Sequence, residues 1–280
     1  MMTFRDKTVV FNAPKVMGIL NVTPDSFSDG GQFNKLDDAL KQTEKMIASG
    51  ATFIDIGGES TRPGATPVTL EEELDRVIPV IDAITERFDT IVSIDTSKSE
   101  VMLEAANHGA SLINDVRALS QPGALETASR LAQEHNIPTC IMHMQGTPET
   151  MQDLPRYNSV VDEVIEFFRA QIERLTANGF EYKQIMLDPG FGFGKTLDHN
   201  YEILKRFDEF TQFDLPVLAG MSRKSMIGNL LNKGITERLA GDICVNTVAS
   251  LAGASILRVH DVGEAADVSK IIEKLNQINV

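Results

Sequence analysis

Short apolar runs rich in β-branched residues alternate along the chain with segments whose apolar positions recur at helical spacing. The runs are VMGILNV (16–22), TFIDIGG (52–58), TIVSIDTS (90–97), SLINDV (111–116), IPTCIMHM (137–144), QIMLDPGFG (184–192), LPVLAGMS (215–222) and SILRVHDV (255–262). They are largely continuous rather than strictly alternating, which is the pattern of strands buried on both faces of a parallel sheet. The intervening segments read as helices. LDDALKQTEKMIASG sets Leu36, Ala39, Leu40, Met46 and Ile47 on one stripe and stops at Gly50. TLEEELDRVIPVIDAITERF opens with Thr69 and Glu72 at capping-box spacing, and SKSEVMLEAANHG repeats that spacing with Ser97 and Glu100. NSVVDEVIEFFRAQIERLTANG is the longest and ends at Gly179; TERLAGDICVNTVASLAGAS and EAADVSKIIEKLNQI cover the last two crossovers. Eight strands in 280 residues predict an α/β chain folded as a (β/α)8 TIM barrel, a single domain over residues 1–280. Periodicity alone leaves an open doubly wound sheet as the rival. The opening MTFRDKTVVF reads as a short strand or two outside the eight-fold pattern.

Composition narrows the partners. The formal net charge of −14 makes nucleic acid or an anionic membrane an unsuitable main partner, because neutralising phosphates takes clustered Lys and Arg. An anionic substrate would need a local positive patch. Cys140 and Cys244 lie far apart without metal-site or CxxC spacing, which suits a reducing cytosol and a cytoplasmic protein. No apolar stretch reaches the length of a membrane span, and the first residues lack the apolar core of a signal peptide.

In barrels the chemistry sits where strands end. Here the ends carry Asn21; Asp55, Glu59, Thr61 and Arg62; Asp95; Asn114 and Asp115; His143; Asp188; Ser222, Arg223, Lys224 and Ser225; Arg258 and His260. The polar loop NVTPDSFSDGG after the first run is one of these eight ends, too long and polar for a simple turn. Positive groups fall on the second, seventh and eighth ends, and Asp95, Asn114 and Asp188 on the third, fourth and sixth. The expectation is a bipolar pocket. Arg and Lys with the Thr61 and Ser222 hydroxyls suit phosphate oxygens, and two carboxylates with an amide suit the N–H edge of an aminopyrimidine.

Plainer roles stand beside these. A strand-end Asp or Asn is ordinarily a turn or cap residue, Asp95 adjoins the Ser97 box, Asp55 suits a buried structural hydrogen-bonder, and His143 suits the core. Without HxH or HExxH, a zinc site is not expected. DPGFGFGKT ends like a phosphate loop at Gly194-Lys195-Thr196, but Pro189 stands where that motif needs glycine, and the next helix starts near Asp198, too late for a cradle. A Gly/Phe loop there suits close backbone approach to a flat ligand.

With those motifs assembled, GILNVTPDSFSDGG, IDIGGESTRPGA, VSIDTS, INDV, LDPGFGFGK, GMSRKSM and RVHDV resemble, in order and over essentially the full length, the dihydropteroate synthases of the bacterial folate pathway. That resemblance implies condensation of 6-hydroxymethyl-7,8-dihydropterin diphosphate with 4-aminobenzoate, sulfonamides as competitors, and a homodimer through the last helices. It further implies that Asp95, Asn114, Met142, Asp188 and Lys224 hold the pterin. Asn21, Thr61, Arg258 and His260 would hold the diphosphate, with Asn21 binding its Mg2+. Arg62, Pro63, Phe193 and Ser225 would frame the aminobenzoate, and Asp25, Arg62 and Lys224 would serve the chemistry. The alternative is a pterin-binding methyltransferase of similar barrel, which would share the acceptor set but has no evident use for the DSFSDGG, SRK and RVH stretches.

Overall fold

The computed structural model describes residues 1–23, 32–60, 68–146, 151 and 155–278. A hairpin of β1 (Met2–Phe4) and β2 (Lys7–Val9) precedes eight parallel strands: β3 (Lys15–Asn21), β4 (Phe53–Gly57), β5 (Ile91–Asp95), β6 (Leu112–Asp115), β7 (Thr139–Met142), β8 (Ile185–Asp188), β9 (Leu218–Ala219) and β10 (Ile256–Val259). Their order is β8-β7-β6-β5-β4-β3-β10-β9. The ring closes through a parallel bridge between Leu187 and Val217, with Leu187 N–H donating to Pro216 O at 2.9 Å. Closure excludes the open doubly wound sheet.

Side chains alternate across each strand, and here the alternation builds two cores. Outward residues such as Val16, Ile54, Val92, Ile113, Ile141, Leu187 and Leu257 meet the apolar stripes of the surrounding helices. Inward, each strand contributes one residue to a lower layer: Met17, Phe53, Ile91, Leu112, Cys140, Met186, Leu218 and Ile256. The hairpin seals this end with Met2, Phe4 and Val9, and the Phe4 ring meets Phe53 edge-on at 5.1 Å. The next inward positions, two residues further on, are Ile19, Asp55, Ser93, Asn114, Met142, Asp188, Gly220 and Arg258. The barrel therefore changes from an apolar floor to a polar mouth within one pleat.

The helices are α1 (Gln32–Ala48), α2 (Leu70–Arg87), α3 (Ser99–Asn107), α4 (Ala124–His135), α5 (Val160–Ala177), α6 (Leu197–Lys205), α7 (Ser225–Leu231), α8 (Leu239–Leu251) and α9 (Val262–Asn276). Thr69 caps α2 in the expected box with Glu72. The second expected box is absent: α3 begins after Lys98 without a side-chain cap, because the Ser97 hydroxyl donates instead to the buried Asp115 carboxylate. Except at the first, which starts one residue inside β3, the apolar runs overstate the strands at both ends, most of all at 215–222, where only Leu218–Ala219 form β9. The patterning named neither α4, which starts after Gly123 with φ of 75°, nor the short α7.

Candidate active site

The mouth of the barrel is organised around Asp55. It is fully buried, and it accepts from Ser93 Oγ at 2.6 Å, Asn114 Nδ2 at 3.2 Å and Arg258 Nε at 2.6 Å. The plain reading of Asp55 as an interior hydrogen-bonder matches this geometry. Arg258 Nη2 donates to Asp95 Oδ2 at 2.7 Å, so one guanidinium on β10 bridges carboxylates on β4 and β5. Burial opposes the charge on Arg258, and the Asp55 and Asp95 carboxylates outweigh it, so its pKa is raised. Burial pushes the Asp95 carboxyl up to about 7, with Arg258 pulling it back and Asp55 pushing the same way as burial.

Asp188 ends β8. Its Oδ1 accepts from Gly190 N–H at 2.7 Å, and its backbone carbonyl accepts from His143 N–H at 3.0 Å. Burial raises its pKa, while Lys224, Arg258 and Lys195 draw it down. Lys224 lies opposite. It donates to Phe191 O, and its Nζ stands 4.6 Å from the centre of the Phe193 ring, a cation–π position. Burial lowers Lys224 to about 8 against the pull of Asp188. Two carboxyl groups pushed up and an ammonium pushed down at the same end of the barrel are the signature expected of a functional site.

The β9 and β10 ends form a second, hydroxyl-bearing edge. Ser222 Oγ lies 3.1 Å from His260 Nδ1 and accepts from His260 N–H at 3.2 Å. Arg223, in a left-handed backbone conformation with φ of 58°, turns away and forks onto Asp261 at 2.6 and 3.0 Å. Ser225 opens α7 and is exposed.

The expected segregation of charge does not hold. Arg258 occupies an inward position, where the nearest countercharges are Asp55 and Asp95, so it reaches across the barrel rather than staying with the cations at the β9 and β10 ends. Asp115 is not a mouth residue: its carboxylate accepts from Ser97 Oγ and from Arg117 and Leu119 N–H at 2.8 and 2.7 Å, anchoring the turn after β6. Met142 is buried at the end of β7, one pleat above Cys140. Asp25, Thr61, Arg62 and Pro63 lie outside the described residues. Lys195, which the phosphate-loop comparison set aside, is buried beside Asp188; its only sequence signal was that superficial motif.

Asn21 closes β3, its amide oxygen beside Gly57 and Asp95 at the mouth. Among the described residues no three His, Cys, Asp or Glu side chains gather as a metal site. An amide oxygen at this position would suit a Mg2+ ion that keeps most of its water and shares substrate phosphates.

A family profile described as pterin binding enzyme matches residues 17–260. The chain is 56% identical to a dihydropteroate synthase of Escherichia coli K12 over 260 residues, covering 93% of this chain and 91% of that one. Among solved structures it matches the dihydropteroate synthase of Yersinia pestis in a sulfonamide drug complex, with a TM-score of 0.93, 50% identity and 99% of both chains covered. It also matches that of Xanthomonas albilineans in complex with 7,8-dihydropteroate, with a TM-score of 0.87, 38% identity and 97% of both chains covered. A (β/α)8 barrel whose mouth gathers buried carboxylates, an amide and cations is thus matched in sequence and in shape. The chain belongs to the pterin-binding enzymes, among the dihydropteroate synthases. It is a transferase, and the methyltransferase alternative gains no support from these relatives.

Proposed function

We infer that this barrel condenses 6-hydroxymethyl-7,8-dihydropterin diphosphate with 4-aminobenzoate to give 7,8-dihydropteroate and diphosphate. The observation that carries the reading is the Asp95–Asn114–Asp188 set above an apolar floor, with Asn114 and Asp188 buried and Asp95 half-buried, faced by Lys224 and Arg258. Asp95, Asn114 and Asp188 accept and donate along the aminopyrimidine edge, Lys224 donates to the pterin, and Met142 packs beside its ring. His260 and Arg258, with Asn21 and Thr61, take the diphosphate. Phe193, Ser225, Arg62 and Pro63 frame the aminobenzoate.

The methylene C–O bond breaks with its electron pair leaving on diphosphate, the arylamine lone pair forms the new C–N bond to that carbon, and the proton the nitrogen then loses passes to the departing diphosphate or to water. The electron-rich pterin spreads the positive charge left on the methylene carbon. Cations placed where negative charge develops on the leaving group lower that barrier, and no side-chain nucleophile is required. Mg2+ held at Asn21 with the diphosphate would add Lewis-acid stabilisation of the leaving oxygens. Asp25 and Arg62, on the loops after β3 and β4, would keep water from the cationic carbon.

Leu230, Leu231, Ile235, Leu239, Val248 and Leu251 are exposed on and between α7 and α8, an apolar surface that a second copy of the chain would cover. That surface supports a homodimer through the later helices, and 4-aminobenzoate competitors of the sulfonamide class would bind the same mouth. Two free cysteines agree with a reducing, cytoplasmic setting. No helix among the described residues is long and apolar enough to cross a membrane.

The test is diphosphate release by the purified protein with Mg2+, pterin diphosphate and 4-aminobenzoate, each omitted in turn. Release that needs all three, with dihydropteroate formed in equal amount, is expected. Tight pterin binding without release would overturn the reading.

A further inference from the structure

The connection from β8 to α6 is held by side chains at nearly every peptide group. Gly190 N–H donates to Asp188, Gly192 N–H donates to Asn200 Oδ1 at 2.7 Å, and Phe191 O accepts from Lys224. Phe193 O accepts from Lys195 Nζ at 3.0 Å, and Gly194 O from the Tyr157 hydroxyl at 2.8 Å. The turn lies directly on the backbone that leaves β7. A Cβ at Gly190 would fall 2.0 Å from His143 O, and one at Gly194 2.5 Å from Gln145 O. Both glycines have positive φ, 72° and 62°, so space and conformation require glycine there together.

Lys195 is the clamp of this arrangement. It is 4% exposed. Its Nζ reaches Phe193 O at 3.0 Å, His143 Nδ1 at 3.1 Å and His143 O at 3.2 Å: three acceptors for the three N–H of one ammonium. Burial pushes the ammonium down to about 7, the Asp188 carboxylate supports it, and Lys224 opposes it. His143 is held neutral, its pKa pushed to about 2 by burial and then by Lys195. Beside a charged Lys195, the Nδ1 of this neutral ring would act as the acceptor, which would leave the ring proton on Nε2. The ring is fixed edge-on to Phe167 at 5.0 Å. The Gly194-Lys195-Thr196 sequence thus turns its lysine onto the protein's own carbonyls, away from any phosphate.

We propose that Lys195 is a positioning residue for the reaction: its buried ammonium ties the 190–194 turn to the end of β7 and thereby sets the Phe193 ring at the barrel mouth. The proposal rests on the reading that Phe193 walls the 4-aminobenzoate subsite. Lys195 acts on that subsite through Phe193, whose carbonyl it holds and whose ring is half-buried at the mouth. Misplacing a reactant by about 1 Å costs on the order of 100-fold in rate, so a loosened wall is felt kinetically.

The test is Lys195→Met, which keeps the length of the stem and removes the charge and all three donors. Steady-state kinetics are measured in the wild-type and Phe193→Ala backgrounds, with pterin affinity followed by calorimetry. In the wild-type background the KM for 4-aminobenzoate rises about 10-fold or more while pterin affinity stays within about 3-fold. In the Phe193→Ala background the same change has less than about a 2-fold effect, because the two residues act on one contact. An unchanged KM in the folded variant, or the same factor in both backgrounds, overturns the proposal.

If Lys195→Met does not fold, Tyr157→Phe removes only the hydrogen bond to Gly194 O. It is expected to show the same split at about 3-fold, the scale of one hydrogen bond, and no change there overturns the clamp. A wild-type enzyme that fails to release diphosphate with both substrates would instead sink the functional reading, and the proposal with it.

Discussion

Replacing Arg258 by Met tests the network on which the mouth is built. The side chain is 20% exposed, its Nε lies 2.6 Å from Asp55 and its Nη2 2.7 Å from Asp95, and the two carboxylates are themselves 0% and 13% exposed. Methionine nearly preserves the volume while leaving both carboxylates without their cation. Removing one partner of a buried pair destabilises by about 3–5 kcal/mol, most of it the cost of the charge left behind. The sign with pH follows from Asp95. Its folded pKa of about 7 lies above the ordinary 3.8, so its ionisation opposes folding as pH rises through that interval. Without Arg258, the first force pulling that value down is gone, so it rises further and the variant suffers most at high pH. Urea unfolding at pH 5.5 and pH 8 measures both. A loss of about 3–5 kcal/mol at pH 8 that shrinks at pH 5.5 is expected. A loss below about 1 kcal/mol at pH 8, or one that grows as pH falls, would refute the reasoning. The same variant should bind pterin diphosphate weakly; unchanged kinetics would remove Arg258 from the leaving-group site.

Asp188→Asn should weaken pterin binding by roughly 10- to 100-fold, since replacing one carboxylate oxygen by an amide nitrogen removes a charge-assisted hydrogen bond worth about 1.5–3 kcal/mol; calorimetry that finds affinity intact would refute the aminopyrimidine reading of that half. Phe4→Ala should cost about 3–5 kcal/mol in unfolding free energy with KM values unchanged, because the ring is fully buried in the floor, far along the barrel from the mouth; altered KM values would refute that separation. The kcat/KM for pterin diphosphate should be bell-shaped, rising through about 7 as Asp95 ionises and falling above about 8 as Lys224 loses its proton; a basic limb that survives in Lys224→Met would refute the second assignment.

The alternation of strand and helix was legible because a parallel strand buried on both faces reads as an unbroken apolar run. The two layers of the barrel interior follow from the same runs once inward and outward positions are known: Phe53 below Asp55, Cys140 below Met142, Ile256 below Arg258. Local signals failed where a distant group competed. Ser97 and Glu100 have capping-box spacing, yet Asp115, 18 residues away, holds the Ser97 hydroxyl. Of the strand-end residues named from sequence, Asp55, Asp95, Asn114 and Arg258 meet at the mouth, because a barrel gathers strand ends whatever its loops contain; Asp115 instead holds the turn after β6, and Ser93 and Lys195 were not named for the site.

What the sequence by itself determined is the alternation of buried parallel strands with helices and the polar groups that stand at the strand ends, because a strand covered on both faces reads as an unbroken apolar run that stops where the polar residues begin. What only the tertiary structure decided is which of them touch. Arg258 lies 203 residues from Asp55 and 163 from Asp95, and no local pattern encodes their contact. It arises because ring closure sets inward side chains face to face in a space with little water, where an unpaired charge costs more than the reach across the barrel. The same enclosure turned Lys195 onto His143 and Phe193, giving a lysine that reads like a phosphate ligand in the sequence a place inside the wall.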